Sequence, residues 1–96
     1  MWKYKLITTE DTQVCNAPCR VKKVALYHND AAGTTAIIYN ENAGGTTKKV
    51  WTLATLGTAT HRISDEIDFG DEGLDFYEGC YIDWVAAGTI LVVYKL

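Results

Sequence analysis

No stretch of a dozen residues in this chain carries the i, i+3, i+4 apolar spacing of an amphipathic helix, which removes the helical and mixed classes of fold. Its longest apolar runs, such as the segment from Thr89 to Tyr94, fall far short of the roughly 20 residues that a membrane-spanning helix needs, so a soluble chain with no membrane partner is expected. Clustered positive charge is missing as well. The 9 Lys and Arg residues are dispersed and outnumbered by 12 Asp and Glu, and a net charge of -3 argues against a nucleic-acid partner. The opening MWKYKLITTEDTQ has neither an apolar core nor a small-residue cleavage site, so it reads as the start of a mature protein rather than a secretory leader.

Cysteine is sparse and odd in number. With only Cys15, Cys19 and Cys80 and no leader, a disulfide framework is not expected, and the three thiols read as reduced and packed. Catalytic punctuation is equally thin: there is no Ser-His-Asp order, no glycosidase-like carboxylate pair and no dinucleotide fingerprint. The C-x3-C spacing with His28 and His61 far away matches no compact zinc signature, and nothing marks a base or an oxyanion hole for a Cys-His pair. No enzymatic activity, cofactor or resident metal is expected.

What the chain does contain is a succession of short runs rich in Val, Ile, Thr, Tyr and Trp, broken by Gly, Asn and Asp. Trp2, Tyr4 and Leu6 alternate with Lys3 and Lys5, the period of a strand with one apolar face. Further strands are expected at Thr12 to Cys15, Cys19 to His28, Thr34 to Tyr39, Lys48 to Leu53, Thr58 to Ile63, around Leu74 to Tyr77, at Cys80 to Val85 and at Thr89 to Lys95. In the Cys19 to His28 run Val21 falls on the opposite parity from Val24 and Leu26, which signals a bulge or a strand buried differently at its two ends. About eight short strands in 96 residues predict an all-β chain: a single antiparallel β-sandwich domain over residues 1–96, jelly-roll or Greek-key-like.

The phrase AAGTT at Ala31 to Thr35 returns as AGGTT at Ala43 to Thr47 and as AAGT at Ala86 to Thr89. A phosphate-binding loop would place its glycines between a strand and a helix and end on Lys-Ser or Lys-Thr, and a repeat fold needs at least three adjacent units. Neither condition holds, so the copies read as chain reversals in which Gly33, Gly44, Gly45 and Gly88 can adopt positive φ angles.

Two groups of side chains are candidate contact sites. Asp65, Glu66, Asp68, Asp71 and Glu72, followed by Asp75 and Glu78, crowd the connection SDEIDFGDEGLDFYEG. Such a density of carboxylates suits calcium or a basic protein neighbour, but the EF-hand spacing is absent, and a solvated acidic loop is the ordinary reading. Trp51 and Trp84, with Asp83 adjacent, have the residue types of a sugar-stacking face. The same aromatics alternating within strands are also ordinary core and interface material.

The order of DTQVCNAPCRVKKVALYHNDAAGTTAIIYNENAGGTTKKVWTL, a polar stretch, ISDEIDFGDEGLDFYEG and a closing GTILVVYK resembles small virion proteins of tailed bacteriophages. The matching pieces are Val24 to Asn29, Thr35 to Tyr39, Gly45 to Lys48, Ile67 to Phe69, Gly73-Leu74 and Val92 to Tyr94, and the resemblance as a whole covers about four fifths of the chain. The chain departs from that layout in its three cysteines and in the aromatic and acidic Phe76 to Trp84. The resemblance implies a capsid decoration or cement protein, often trimeric, assembled in the host cytoplasm and bound to the major capsid protein on the virion surface. On that reading the acidic connection contacts a neighbouring subunit and the protein is a homo-oligomer; a glycan-binding module of a head fibre or tail appendage is the alternative.

Overall fold

Among the described residues the alternating runs pair into nine strands, and there is no helix. The computed structural model describes residues 1–28, 34–55, 64–85 and 88–96. In chain order the strands are β1 (Lys3–Ile7), β2 (Thr12–Cys15), β3 (Cys19–His28), β4 (Thr35–Tyr39), β5 (Lys49–Ala54), β6 (Ser64–Asp68), β7 (Leu74–Phe76), β8 (Cys80–Trp84) and β9 (Gly88–Lys95). The strand expected at Thr58 to Ile63 lies outside the described residues.

All pairings are antiparallel and divide into two sheets. One has the order β1-β9-β3-β6, with β7 extending the ladder along β3; the other has the order β2-β8-β4-β5. With β7 treated as a continuation of β6, this is the interleaved order of a jelly roll, in which two Greek keys wrap around one core. The antiparallel sandwich expected from the sequence is therefore the fold.

The core lies between the two sheets. Val24, Leu26, Ile90 and Val92 project from the first sheet, Ala36, Ile38, Leu53, Ile82 and Trp84 from the second, and Phe76 enters from β7. The parity switch in β3 is a bulge: its register with β9 shifts between Val21 and Lys23, so that Val21 and Val24 are both fully buried.

Two expectations are revised. The acidic connection is not a loop throughout, because Ser64–Asp68 is a strand paired with Tyr27 to Lys23 of β3. Its alternating burial turns Asp65 and Ile67 inward, and an edge strand needs little more than one apolar anchor to hold its place. The apolar face of β1 also points the other way from the core. Tyr4 and Leu6 face out, 73% and 69% exposed, while Ile7 and the half-buried Lys5 face in. Pairing with β9 sets this orientation, since Ile7 lies opposite Ile90 and must share its buried face.

Candidate functional site

The five acidic residues singled out by the sequence do not gather at one point. Asp65 sits at the rim between the sheets, where its Oδ2 accepts the backbone N–H of Ala54 on β5 at 3.0 Å, and its Oδ1 accepts that of Glu66 at 2.9 Å. It thereby occupies a donor on the free edge of one sheet with a side chain from the other. Glu66 is on the outer face and pairs with Lys23 at 2.7 Å. Asp68 Oδ1 accepts the Gly70 N–H at 2.8 Å and shapes the turn after β6. Asp71 and Glu72 are exposed in that turn, and the Glu72 carbonyl accepts from Arg20 Nε at 2.8 Å.

The aromatic group is likewise divided. Trp84 is 3% exposed and donates its indole N–H to the Thr9 carbonyl at 2.9 Å, anchoring the turn between β1 and β2. Trp51, opposite Ile38 on edge strand β5 next to a register shift, is 48% exposed. Asp83 lies opposite Ile37, which is in turn opposite Thr52, on the outer face of that sheet. The structure does not bring Trp51, Asp83 and Trp84 onto one surface.

The polar centre that the structure does assemble lies elsewhere, around the AGGTT reversal between β4 and β5. Gln13, in the middle of β2, points its amide nitrogen at the carbonyls of Cys15, Glu41 and Cys80, at 2.8, 2.8 and 3.1 Å. Its amide oxygen accepts the Gly44 N–H at 2.7 Å, and Asn16 Oδ1 accepts that of Ala43 at 2.8 Å. From within the loop, Glu41 is only 7% exposed, and its carboxylate accepts the N–H groups of Thr47 and Lys48 at 2.9 and 2.8 Å as well as the Thr47 hydroxyl. The Thr47 hydroxyl is the largest cause that holds the Glu41 pKa below the ordinary carboxylate value; burial opposes it, and the two backbone donors and Lys48 reinforce it. Asn40 Oδ1 accepts the Glu78 N–H at 3.0 Å, and Glu78 pairs with the Lys48 ammonium.

This network explains the glycines of the repeat individually. Ala43 and Gly44 take the positive φ angles, 52° and 69°. Gly45 does not; an added Cβ there would lie 2.5 Å from Glu41 Oε1, so glycine makes room for the carboxylate. Gly88 belongs to β9, paired with His28, and Gly33 lies outside the described residues. None of these partners was legible as a site, because Gln13 looks like a solvent-facing strand residue and Glu41 like one more polar loop residue. The only sequence hint is the run of small residues after Glu41, which leaves backbone N–H groups free to approach a carboxylate.

Two further clusters involve titratable groups. Asp83 and Asp11 share a hydrogen bond that raises the Asp83 pKa, with desolvation and the charge of Asp11 adding to the effect. Asp11 Oδ1 also accepts the backbone N–H of Trp84 at 3.2 Å. Cys15, Cys19 and Cys80 are buried free thiols near one end of the core, with Cys15 opposite Cys80 across β2 and β8. Burial pushes Cys19 up to about 12 and Cys80 well above the ordinary thiol value. Such thiols are poor nucleophiles. Among the described residues no group of three His, Cys, Asp or Glu side chains is arranged to hold a metal ion; His61 lies outside them. A shallow cleft of about 340 Å³ opens beside Pro18, Phe76 and Leu96. The Arg20 guanidinium on its wall is already engaged by the Glu72 and Gly73 carbonyls and by Asp75.

Comparison with protein-family models, curated proteins and solved structures found no match to this chain.

Proposed function

We propose that the chain is a structural protein of a tailed-phage virion, a capsid decoration protein that binds the major capsid lattice and braces the head. The observation that carries this reading is the jelly-roll strand order, an architecture shared by viral shell domains and by lectins. It is the kind of fold implied by the phage-like phrasing of the sequence. T-x-I-I-Y forms β4, the G-T-I-L-V-V-Y-K segment forms β9, and the acidic DEIDFGDEGLDF supplies most of β6, its turn and β7. Of the shell-protein and sugar-binding readings, the dispersal of Trp51, Asp83 and Trp84 favours the shell protein. A repeating lattice suits a small domain of this kind, since many modest contacts add up to high avidity.

Mixing the purified protein with empty, expanded heads and sedimenting them tests the reading. Stoichiometric co-sedimentation that saturates at a fixed number of copies per capsid subunit is expected. Absence of binding to heads, with binding to tails or to a host polysaccharide instead, overturns it.

A further inference from the structure

Three thiols meet where β2 of the four-stranded sheet turns over into β3 of the five-stranded one. Cys15 and Cys19, each 5% exposed, are separated by the Asn16-Ala17-Pro18 turn, and the fully buried Cys80 lies opposite Cys15 in the β2–β8 ladder. Their backbones are held in place. The Cys15 carbonyl accepts the Gln13 amide at 2.8 Å, Asn16 Oδ1 ties the turn to Ala43 at 2.8 Å, and Cys19 pairs with Phe76 of β7. Within this frame the Cys19 thiol donates a hydrogen bond to the Cys15 sulfur, so the two sulfurs are in contact. Cys19 also forms part of the wall of the cleft beside Pro18, Phe76 and Leu96, which gives a water-sized solute a route to the pair.

We infer that Cys15 and Cys19 close into a reversible disulfide when the folded chain meets a hydroperoxide, leaving Cys80 a thiol, and that this bond clasps the two sheets together at one end of the core. Three observations select this pair. The first is distance: directly opposed residues of an antiparallel ladder keep their Cβ atoms about 4.5–5.5 Å apart, whereas a disulfide needs roughly 3.5–4.5 Å, so joining Cys15 to Cys80 requires the strands to move. The Cys15 and Cys19 sulfurs already touch. The second is ionisation. Burial raises the Cys15 pKa, but the Cys19 hydrogen bond and the charges of Lys5 and Lys3 lower it, whereas every cause acting on Cys19, pushed up to about 12, and on Cys80 raises theirs. The third is the turn itself, in which Pro18 has a fixed φ, so closing the ring orders little that is not already ordered.

Cys15 attacks as the thiolate. Its sulfur takes the outer oxygen of the hydroperoxide as the O–O bond breaks, and the departing alkoxide or hydroxide takes up the proton that Cys15 released, leaving a sulfenic acid at Cys15. The Cys19 sulfur then attacks the Cys15 sulfur, and the hydroxyl leaves with the Cys19 proton as water. In sum two thiols and one hydroperoxide give one disulfide, one water and one alcohol, or a second water when the oxidant is hydrogen peroxide. The two electrons lost by the sulfurs are those that reduce the O–O bond. A thiol reductant reverses the change by exchange. Because little thiolate is present in the buried pair, oxidation takes hours rather than seconds. The inference is independent of the proposed capsid role, because it concerns the chemistry of the free chain.

The test incubates the reduced full chain with millimolar hydrogen peroxide at neutral pH, then denatures it in the presence of an alkylating reagent and maps its tryptic peptides by mass. Cys15 and Cys19 fall in one peptide, Leu6 to Arg20. That peptide is expected unalkylated and lighter by two hydrogens than its dithiol form, while the peptide carrying Cys80 is alkylated. Cys19→Ser is expected to abolish the loss of hydrogen and Cys80→Ala to retain it; the wild-type map decides the pairing by itself if either variant fails to fold. Glutathione buffers of graded ratio then give the formation constant of the disulfide in the folded chain and in concentrated urea. The folded value is expected to be larger by at least about tenfold, with the folding constant of the oxidised chain raised by the same factor. A link to Cys80 overturns the inference, as does oxygen added to one sulfur with no loss of two hydrogens. A formation constant no larger in the folded chain than in urea overturns it too.

Discussion

Replacing Gly79 by alanine adds one methyl group where the carbonyls of two separate segments converge. Gly79 has φ +148°, and a Cβ on it would lie 2.5 Å from the Cys15 carbonyl oxygen and 2.9 Å from that of Glu41. Those are two of the three oxygens bound by the Gln13 amide, whose nitrogen would itself be 3.4 Å from the new methyl. The backbone conformation alone costs an alanine about 1–3 kcal/mol. Making room for the methyl costs roughly another 1–3 kcal/mol, through displaced strands or lost Gln13 hydrogen bonds. The sum, about 2–6 kcal/mol, is a large part of the ~5–14 kcal/mol expected for a domain of this length. Urea unfolding at neutral pH measures the loss, and the thermal midpoint should fall by about 10 °C or more. Gly70→Ala is the matched comparison, because Gly70 also has a positive φ, +93°, but an added Cβ there meets nothing within 4 Å. The difference between the two variants isolates the collision at about 1–3 kcal/mol. Equal losses, or a smaller loss at Gly79, would refute the account of the Gln13 network.

Glu41 and Asp83 should give opposite pH dependences. The folded pKa of Glu41 is lowered, so its stabilisation is complete above the unfolded value and disappears as pH falls through the folded one. Glu41→Gln should therefore lower the urea midpoint at neutral pH and flatten its decline in acid. The folded pKa of Asp83 is raised by the hydrogen bond to Asp11, so its contribution is complete below the unfolded value and is lost as pH rises through the folded one. Asp83→Asn should raise the urea midpoint at neutral pH, with the gain vanishing in acid; a gain at all pH values would mean that carboxylate repulsion is not the cause. Asp65→Ala should cost about 0.5–1.5 kcal/mol, chiefly by freeing the Ala54 N–H at the rim and also by removing the acceptor of the Glu66 N–H, and should speed amide hydrogen exchange at Ala54, whereas unchanged exchange there would rule out the bridge. The three buried thiols should resist a thiol-specific reagent at mildly alkaline pH until the chain is denatured, and rapid labelling of any one in the folded protein would contradict their packing.

Much of the fold is legible in residue parity. The Val21 to Val24 switch announces the bulge, and the alternation in Cys80 to Val85 marks a strand whose burial follows the same period, whereas in β5 a register shift leaves Trp51 exposed and Val50 packed against the core. The orientation of β1 is not legible, because an edge strand takes its facing from the partner it joins: once Ile7 is fixed opposite Ile90, Tyr4 and Leu6 have to face outward. β6 is hidden for a related reason. Only Ile67 in SDEID is apolar, and its burial beside Val24 depends on a strand some forty residues earlier in the chain. The candidate sites were less legible still. Composition collects Asp65, Glu66 and Asp68 into one acidic region, but alternation sends Asp65 to the rim and Glu66 to the outer face. Conversely Gln13, Glu41 and Gly79, far apart in the chain and individually unremarked, meet because β2, β8 and the loop after β4 come together at one end of the sandwich.

The strand order also sets a timetable for folding. β9 lies between β1 and β3, and β8 lies between β2 and β4, so each sheet has one of the last two strands in chain order at or next to its centre. Among the described residues four of the seven strand pairings, β1–β9, β3–β9, β2–β8 and β4–β8, therefore wait for residues beyond position 79. On the ribosome the β4–β5 hairpin can form early, while β1 and β2 emerge with no partner and remain open for several seconds at roughly 5–20 residues per second. Non-local pairing of this kind folds slowly. Nascent chains stalled before Cys80 should therefore collect as species with unpaired strand edges, the form of this protein most exposed to aggregation and to chaperones.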